Sequence, residues 1–421
     1  MSKPAPLSEA GSLNPFIRYR WLLDSYRTAL ARGWSDSDFV ALVMGLDEAV
    51  AGVAGHGFAV TPLTREDELA TALSLRDQLW IKDETGNVGG SHKARHLFGV
   101  LLHLALDNAA GDELAIASCG NAALAAALVA KAANRPLRVF IPTWADPRIV
   151  SELQRLGAEI ETCERLAGQR GDPTYLRLQQ AVARGAVPFS VQGTVNPKAF
   201  DGGRTIGWEL AEQLALARVR GKVRLFVQVG GGALAASLWQ GLADGIREQW
   251  LLAEPVLCTV QTEAAAPLNR AWRIVREAIA ANSGAEVDTG EAKEQTMADA
   301  SEHPERYMWP WEPVGRSAAS GILDDVTYDW IPVTRAMISS DGVAYVVTED
   351  QIREINRIAR NTTGVAVDAT GTAGLAPLLD SSVAASIASD EQVIGLFTGA
   401  IRQSLGDVPR LTTAEDAGRE A

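Results

Sequence analysis

Short apolar runs alternate with segments of helical periodicity over most of the chain, and this alternation constrains the fold more than any other feature. The runs at residues 114–117, 137–141 and 158–162 are each followed by an amphipathic segment long enough for a helix. A second series begins with the runs at residues 223–229 and 256–262. Strands that alternate with such helices form right-handed βαβ units and hence parallel sheets. The sequence therefore predicts an α/β fold.

Apolar periodicity also marks the helices and the remaining strands. Helices are predicted at residues 15–50 (two segments, the second starting near Ser35), 121–134, 147–156, 173–184, 204–217, 233–247, 267–281, 348–361 and 370–379. Further strands are predicted at residues 79–82, 187–191, 343–347 and 393–397. Residues 283–312 break the pattern because they are polar and acidic before an aromatic cluster, and we expect a surface excursion there.

Composition excludes several classes of protein. The formal net charge of -13 argues against a nucleic-acid or anionic-membrane surface. The three cysteines are scattered, and the histidines show no metal-binding spacing, so neither a disulfide framework nor a metal site is predicted. Residues 1–12 lack the apolar core of a signal peptide, and no run has the ~18 apolar residues of a membrane span. We expect a cytoplasmic enzyme.

A lysine stands at a junction between a loop and a helix. The segment Gly89-Gly90-Ser91-His92-Lys93 follows the apolar run at residues 79–82 and opens a helical pattern. Glycines at such a junction let a flat ligand approach the backbone, and a buried lysine there can form an imine with an aldehyde cofactor. By itself the motif also fits an ordinary surface lysine.

A second glycine-rich segment, Gly230-Gly231-Gly232, lies where an apolar strand passes into a helix. Successive N–H groups and the helix dipole suit a phosphate at this place. The segment matches neither the dinucleotide pattern nor a P-loop, which favours a single phosphate group over a nucleotide. A tight turn with small packing residues is the alternative.

Two further strand ends carry polar side chains. Ser118-Cys119-Gly120-Asn121 precedes a helix, so its N–H groups could hold a carboxylate and the Asn121 amide could bind a ring substituent. Cys119 is either a helix-terminal thiolate or a small buried residue. Thr398 follows the run at residues 393–397. A capping Asn and a capping Thr are the plain alternatives.

Together these motifs resemble those of the fold-type-II pyridoxal-phosphate enzymes, a group that includes threonine dehydratase, serine racemase, threonine synthase, cysteine synthase and the tryptophan synthase β chain. The resemblance covers roughly residues 61–402. It implies that pyridoxal 5'-phosphate is the cofactor and that Lys93 is the Schiff-base lysine. The other residues implied as cofactor-binding are Asn121 at the ring hydroxyl, Gly230, Gly231, Gly232, Ala233 and Leu234 at the phosphate, and Thr398 at the pyridine nitrogen. The residues implied as binding the substrate carboxylate are Ser118, Cys119, Gly120 and Ala122.

Three positions depart from the family pattern. His92 stands where Phe or Val is usual, Ala122 replaces a common Thr, and Ala233 replaces a fourth glycine. The segment at residues 14–19 looks more like the threonine synthase branch. These differences leave the substrate open.

The resemblance also implies a domain arrangement. It predicts two domains, each a mostly parallel twisted sheet flanked by helices, with the cofactor in the cleft between them. The boundaries expected are an N-terminal helical arm at residues 1–60, a large cofactor-binding domain at residues 61–99 and 196–405, a small mobile domain at residues 100–195, and a polar tail at residues 406–421. We expect a homodimer that binds a small amino acid.

The implied reaction is β-elimination from a β-substituted or hydroxy amino acid, which gives a 2-oxo acid and ammonia. Lys93 would act as general base, with its pKa lowered by burial. Ser91 is a candidate for the acid at the leaving group, together with the cofactor phosphate or a group from residues 307–330. A neutral Thr398 hydroxyl at the ring nitrogen disfavours transamination. The alternatives are a threonine synthase-like or β-replacement synthase, and a catalytically silent pyridoxal-phosphate-binding protein.

Overall fold

A computed structural model of the protein describes residues 13–76, 78–107, 112–166, 169, 171–283 and 289–401. The α-helices are α1 (Pro15–Arg18), α2 (Asp24–Ala31), α3 (Asp36–Ala54), α4 (Asp67–Ala72), α5 (Lys93–Leu106), α6 (Asn121–Ala132), α7 (Pro147–Arg155), α8 (Pro173–Ala183), α9 (Ala199–Leu216), α10 (Ala233–Arg247), α11 (Pro267–Asn282), α12 (Thr289–Glu302), α13 (Trp330–Ser339), α14 (Glu349–Thr363), α15 (Ala369–Thr372) and α16 (Ser381–Ala385). The strands are β1 (Leu63–Arg65), β2 (Leu79–Asp83), β3 (Leu114–Ala117), β4 (Leu137–Pro142), β5 (Glu159–Cys163), β6 (Val187–Pro188), β7 (Val223–Gln228), β8 (Val256–Thr262), β9 (Ala344–Val347) and β10 (Gln392–Phe397). The expected polar tail at residues 406–421 lies outside the described residues.

Most of the expected elements form where the sequence placed them. Within the surface excursion expected at residues 283–312, however, the chain forms the helix α12 (Thr289–Glu302), which buries Ala292, Met297 and Ala300 in the core. Three further differences concern single elements. The helix expected at residues 204–217 begins earlier, at Ala199, and so includes Gly202 and Gly203. The helix expected at residues 370–379 is α15 followed by a 3₁₀ segment, because Pro377 supplies no N–H to an α-helical ladder. The strand expected at residues 187–191 is confined to Val187–Pro188, although Phe189 N–H still donates to Ala115 O at 2.8 Å.

The contacts of the chain separate it into two compact units. One comprises Met1–Thr61, Asp83–Val191 and Gly399–Ala421, and the other comprises Pro62–Lys82 and Gln192–Thr398. The contacts thus group residues 83–99 with the N-terminal helices, because α5 packs on α2 and α6, whereas the sequence assigned these residues to the larger domain. The expected domain boundaries remain a prediction.

The first unit contains a four-stranded sheet in the order β5-β4-β3-β6, and its three neighbouring pairs of strands are all parallel. The apolar helix α6 contacts β3 and β4 and also packs against α5 and α3. Phe16, Phe58 and Phe98 form an aromatic cluster with ring centroids 4.6–5.1 Å apart. Because Phe98 belongs to α5, this cluster fixes the N-terminal segment on the helix that Lys93 begins.

The second unit contains a six-stranded sheet in the order β1-β2-β10-β7-β8-β9. β1 pairs antiparallel with β2, whereas β10, β7, β8 and β9 pair in parallel. Alternate residues of one strand enter different hydrophobic clusters: Leu225 and Val227 join one cluster, and Phe226 joins the other. Since alternate side chains point to opposite faces, the sheet is buried on both faces, as expected of a doubly wound α/β unit.

Parallel pairing also sets where the loops lie. β7 and β10 are neighbours with Gln392 opposite Val223 and Gly395 opposite Phe226. Their carboxyl ends, which lead into Gly230 and Thr398, therefore share one edge of the second unit's sheet.

Among the described residues, no helix has both the length and the apolar character needed to cross a membrane.

Candidate cofactor site

The Lys93 loop of the first unit has the backbone that its glycines suggest. Gly89 and Gly90 both have φ of 69°, in the left-handed region that favours glycine. Gly90 N–H donates to Asn87 O at 2.7 Å, and Asn87 Nδ2 donates to Ser91 O at 2.9 Å. The loop is therefore a closed turn, and Lys93, which is half-buried, follows it as the first residue of α5.

The hydroxyl of Ser91, two residues before this lysine, is buried. Ser91 is fully buried, and no described group lies in hydrogen-bonding position to its Oγ atom. Its backbone forms a bridge with Gly399, and Ala400 N–H donates to Gly90 O at 2.9 Å. A buried hydroxyl normally finds a partner, so this atom suits a ligand that accepts or donates a hydrogen bond.

A buried ion pair anchors the first turn of α5. Arg95 Nε donates to Glu84 Oε2 at 2.8 Å, and Arg95 Nη2 donates to Glu84 Oε1 at 3.1 Å. Thr61 Oγ1 donates to Glu84 Oε1 at 2.5 Å. All three side chains are fully buried. A bidentate pair of this kind fixes direction as well as distance, so it holds the turn that carries Lys93.

The expected carboxylate loop belongs to the same unit as Lys93. Ser118, Cys119 and Gly120 connect β3 to α6, whose first residue is Asn121. These four residues are half-buried, Ala122 is buried, and a Cβ built on Gly120 would meet no atom within 4 Å. The 3₁₀ turn of the Lys93 loop contacts α6, and a Cβ on Gly89 would lie 3.8 Å from Leu128 Cδ1. The first unit therefore brings the lysine loop against the helix that starts at Asn121.

The carbonyl groups of Gly230 and Gly231, in the glycine loop of the second unit, are held by residues 327 and 329. Thr327 Oγ1 donates to Gly230 O at 2.9 Å, and Asp329 N–H donates to Gly231 O at 2.8 Å. Gly232 has φ of 96° and precedes Ala233, the first residue of α10. The N–H groups in the first turn of a helix have no intrahelical acceptor, so they are available to an anion.

Side chains at the glycines of this loop would meet neighbouring residues. A Cβ on Gly231 would lie 3.2 Å from Gln192 Nε2 and 3.4 Å from Tyr328 Cδ2, and a Cβ on Gly230 would collide with the Asp324 carboxylate. A substituent would therefore fill the cradle. Ala233 and Leu234 add two helix N–H groups at its end. We conclude that these residues fit a phosphate group.

Thr398 ends β10 in the same unit and is buried, with 3% of its surface exposed. Gln228 Nε2 donates to Thr398 Oγ1 at 2.8 Å. The hydroxyl thus accepts a hydrogen bond from a neutral amide.

Several residues of the second unit were not found from the sequence. Asp329 accepts from Gly193 N–H at 3.0 Å and from Thr194 N–H at 2.8 Å, so it joins that loop to the glycine loop. Burial raises the pKa of Asp329 above its ordinary value, although these two N–H groups oppose the rise. The sequence does mark Gln228 as a candidate, since it is a polar residue at the end of an apolar strand. Thr327 and Asp329 gave none, because their role depends on a contact about a hundred residues away in the chain.

Comparison with known proteins identifies the family. Residues 56–399 match the model of the family described as pyridoxal-phosphate dependent enzyme. The chain is 26% identical over 376 residues to a threonine synthase of Methanosarcina acetivorans, covering 86% of this chain and 80% of that protein. It is 30% identical over 207 residues to an L-serine dehydratase of Saccharomyces cerevisiae, covering 46% of this chain and 58% of the relative.

Solved structures share the fold. A threonine deaminase from T.th. superposes with a TM-score of 0.62 at 22% identity, covering 86% of this chain and 98% of the other. This likeness confirms the α/β fold expected from the alternation of strands and helices. The family model spans the lysine loop, the strand ends and the glycine loop. The chain therefore belongs to the family of pyridoxal-phosphate dependent enzymes, and its cofactor is pyridoxal 5'-phosphate.

Proposed function

We propose that the protein is a lyase that converts a β-substituted amino acid, most simply a hydroxyamino acid, into a 2-oxo acid and ammonia. The observation that carries this proposal is the buried Ser91 hydroxyl, which lies two residues before Lys93 and has no described hydrogen-bond partner. Hydroxide is a poor leaving group, so elimination needs a hydrogen-bond donor beside a base. The serine dehydratase and threonine deaminase names of the relatives agree with this reaction class.

The residues that would hold the cofactor follow from their local chemistry. The N–H groups from Gly230 to Leu234 would bind the phosphate, Thr398 Oγ1 would bind the ring nitrogen, and the Asn121 amide would bind the ring hydroxyl. The backbone of Ser118, Cys119, Gly120 and Ala122 would bind the substrate carboxylate. When bound, pyridoxal phosphate supplies the aldehyde and the conjugated ring that stabilise negative charge at the substrate Cα.

Two side chains of the first unit would move protons. Lys93 Nζ would take the proton from the substrate Cα, because it stands at the end of a rigid loop closed by Asn87. Ser91 Oγ would pass its proton to the departing hydroxide, which leaves as water, and would regain a proton from Lys93, which took one from Cα. Hydrolysis of the remaining product consumes one water and releases ammonia, so the net reaction neither oxidises nor reduces the substrate.

A synthase is the second candidate function, and a specific observation favours it. The match to a threonine synthase covers 86% of this chain, whereas the match to the serine dehydratase covers 46%. In that case the substrate is a phosphorylated homoserine, or a nucleophile replaces the β-substituent. A silent pyridoxal-phosphate-binding protein is a third candidate, because His92 and Ala122 depart from the family pattern.

One assay separates these candidates. The purified protein is incubated with L-serine, L-threonine, 3-hydroxyaspartate or O-phosphohomoserine, and 2-oxo acid, ammonia, phosphate and threonine are measured. We expect 2-oxo acid and ammonia in equal amounts from one of the hydroxyamino acids. Threonine and phosphate without 2-oxo acid would establish the synthase instead. Turnover of none of the four substrates, with the cofactor bound, would favour the silent protein.

The cofactor chemistry has its own control. Wild-type protein should show a visible absorption band at about 410–420 nm from the lysine imine. The band should disappear in Lys93→Ala and persist in Lys131→Ala, which removes an exposed lysine on α6 of the same unit. Equal bands in both variants would contradict the role of Lys93.

The proposal includes a cytoplasmic homodimer, and the molar mass in solution tests the dimer.

A further inference from the structure

The side-chain amide of Gln228, the last residue of β7, is held in a single orientation. Gln228 is 4% exposed. Its Nε2 atom lies within hydrogen-bonding distance of four oxygen atoms: Thr370 O at 3.1 Å, Gly371 O at 2.9 Å, Leu396 O at 3.3 Å and Thr398 Oγ1 at 2.8 Å. All of these residues belong to the second unit.

The three backbone carbonyls determine which end of the amide faces Thr398. A carbonyl oxygen only accepts hydrogen bonds, so the amide atom that faces three of them is the NH₂ nitrogen. The flipped amide would place Gln228 Oε1 against three other oxygens. A Cβ on Gly374 would lie 2.6 Å from Gln228 Oε1, so the glycine leaves room for that oxygen in the observed orientation.

The orientation of the amide fixes the direction of the next hydrogen bond. Because Gln228 Nε2 donates, Thr398 Oγ1 accepts, and the hydroxyl proton of Thr398 must point to a different acceptor. An unprotonated pyridine nitrogen is such an acceptor, whereas a protonated one is a donor and would face a second donor. The direction of one buried bond thus decides which form of the ring Thr398 can bind.

We infer that Gln228 is a positioning residue that fixes Thr398 as a hydrogen-bond donor to the ring nitrogen of the cofactor. This inference rests on the proposed role of Thr398 as the residue that faces that nitrogen. Gln228 itself acts through Thr398 and through the carbonyl groups of Thr370 and Gly371, and touches the reaction only indirectly.

The experiment measures the ring nitrogen directly. Wild-type and variant proteins are reconstituted with pyridoxal phosphate labelled with ¹⁵N in the ring, and the nitrogen resonance is recorded by NMR. In the wild type we expect the resonance of an unprotonated nitrogen that accepts a hydrogen bond. Thr398→Val removes the donor and should move the resonance toward that of a free, unprotonated pyridine. Gln228→Met should move it in the same direction, because the hydroxyl can then rotate.

Gln78→Met is the matched control for losing a buried glutamine. Gln78 is 8% exposed and its Nε2 donates to Ala388 O at 2.9 Å and Glu391 O at 2.7 Å, in the same unit but without a threonine partner. Gln78→Met should lose stability as Gln228→Met does and leave the nitrogen resonance in place. A wild-type resonance in Gln228→Met, with the Thr398→Val resonance displaced, would overturn the inference and leave the proposed function intact. An unchanged resonance in Thr398→Val would overturn the inference together with the proposed role of Thr398.

A second variant covers the case in which Gln228→Met does not fold. Gln228→Glu keeps the size of the side chain but replaces the donor by a titratable carboxyl group. Its ionised form accepts from Thr398 and its protonated form can donate, so the nitrogen resonance of this variant should depend on pH. The wild-type resonance should not change over the same pH range. A resonance of Gln228→Glu that matches the wild type at every pH would also overturn the inference.

Discussion

Replacement of Glu84 by Gln tests whether the buried ion pair of the first unit controls Lys93. Glu84 and Arg95 are both fully buried and joined by two hydrogen bonds of 2.8 and 3.1 Å. The amide of Glu84→Gln is nearly isosteric but uncharged, so it removes the negative charge of Glu84 from beside the buried Arg95 guanidinium. Breaking a buried pair on one side costs about 3–5 kcal/mol of unfolding free energy. We expect a loss near the upper end of this range, because neither partner reaches water.

A second buried Arg–Glu pair provides the matched control. Arg224 Nε and Nη2 donate to the two carboxylate oxygens of Glu391 at 2.9 and 3.2 Å, and the side chains are 15% and 3% exposed. This pair lies at the amino ends of β7 and β10, the opposite edge from the glycine loop. Glu391→Gln should cost about 3 kcal/mol, the lower end of the range, because water reaches Arg224.

The assay compares stability with cofactor affinity. Unfolding by urea, with and without pyridoxal phosphate, gives both quantities, since a ligand stabilises the native state in proportion to its affinity. Glu84→Gln should raise the cofactor Kd at least tenfold, about 1.4 kcal/mol, because the turn that carries Lys93 loses its anchor. Glu391→Gln should leave the Kd within about twofold, since its pair lies at the opposite edge of the sheet from the glycine loop.

A milder change keeps the test valid if Glu84→Gln does not fold. Thr61→Val removes the hydroxyl that donates to Glu84 Oε1 and preserves the shape of the side chain. A hydrogen bond to a charged group contributes about 1.5–3 kcal/mol, so this variant should stay folded and show a smaller rise in Kd. If Glu84→Gln and Glu391→Gln kept equal cofactor affinity, the ion pair would be structural only.

Three other changes have defined outcomes. Gly231→Asp puts a carboxylate into the expected phosphate cradle, so the variant should lose its cofactor on dialysis. Gly45→Asp is the control, because Gly45 is an exposed residue of α3 whose added Cβ would have no atom within 4 Å. This variant should retain the cofactor. Burial, together with the hydrogen bond to Asp299, raises the pKa of Tyr307 to about 12. The folded state then holds a proton that the unfolded state releases, so stability should fall as pH rises from 10 to 12, and Tyr307→Phe should reduce that slope in denaturant titrations. Gly207→Ala should destabilise the protein by about 1–3 kcal/mol in the same titrations. The reason is that the added Cβ would lie 2.5 Å from Leu238 O, where α9 contacts α10. A variant as stable as the wild type would mean that the two helices can separate there.

Local sequence was sufficient for the regular elements and for the backbone of the two glycine loops. β3, β8 and α10 have the bounds that apolar runs and helical periodicity predict. A strand must bury its apolar face and a helix its apolar stripe. Both requirements appear as a pattern of apolar residues within one short segment of the sequence. The positive φ of Gly89 and Gly90 likewise follows from residue type, since glycine adopts this region at no steric cost.

The partners of the polar side chains were decided by the tertiary structure. Glu84 is close to Arg95 in the chain, yet nothing local shows that the pair is buried with Thr61 as a third member. Gln228 and Thr398 are 170 residues apart, and they meet only because β7 and β10 are neighbours in the sheet. The order of strands depends on long-range pairing that no single segment contains.

Residue types and spacing by themselves therefore determined the fold class, the family and the cofactor of this protein. The tertiary structure decided which groups hold the lysine turn and in which direction the Thr398 hydroxyl accepts. The physical reason is the range of the interactions. Periodicity, glycine conformation and helix termini act over a few residues, whereas the direction of a buried hydrogen bond is set by every acceptor that the fold brings around it.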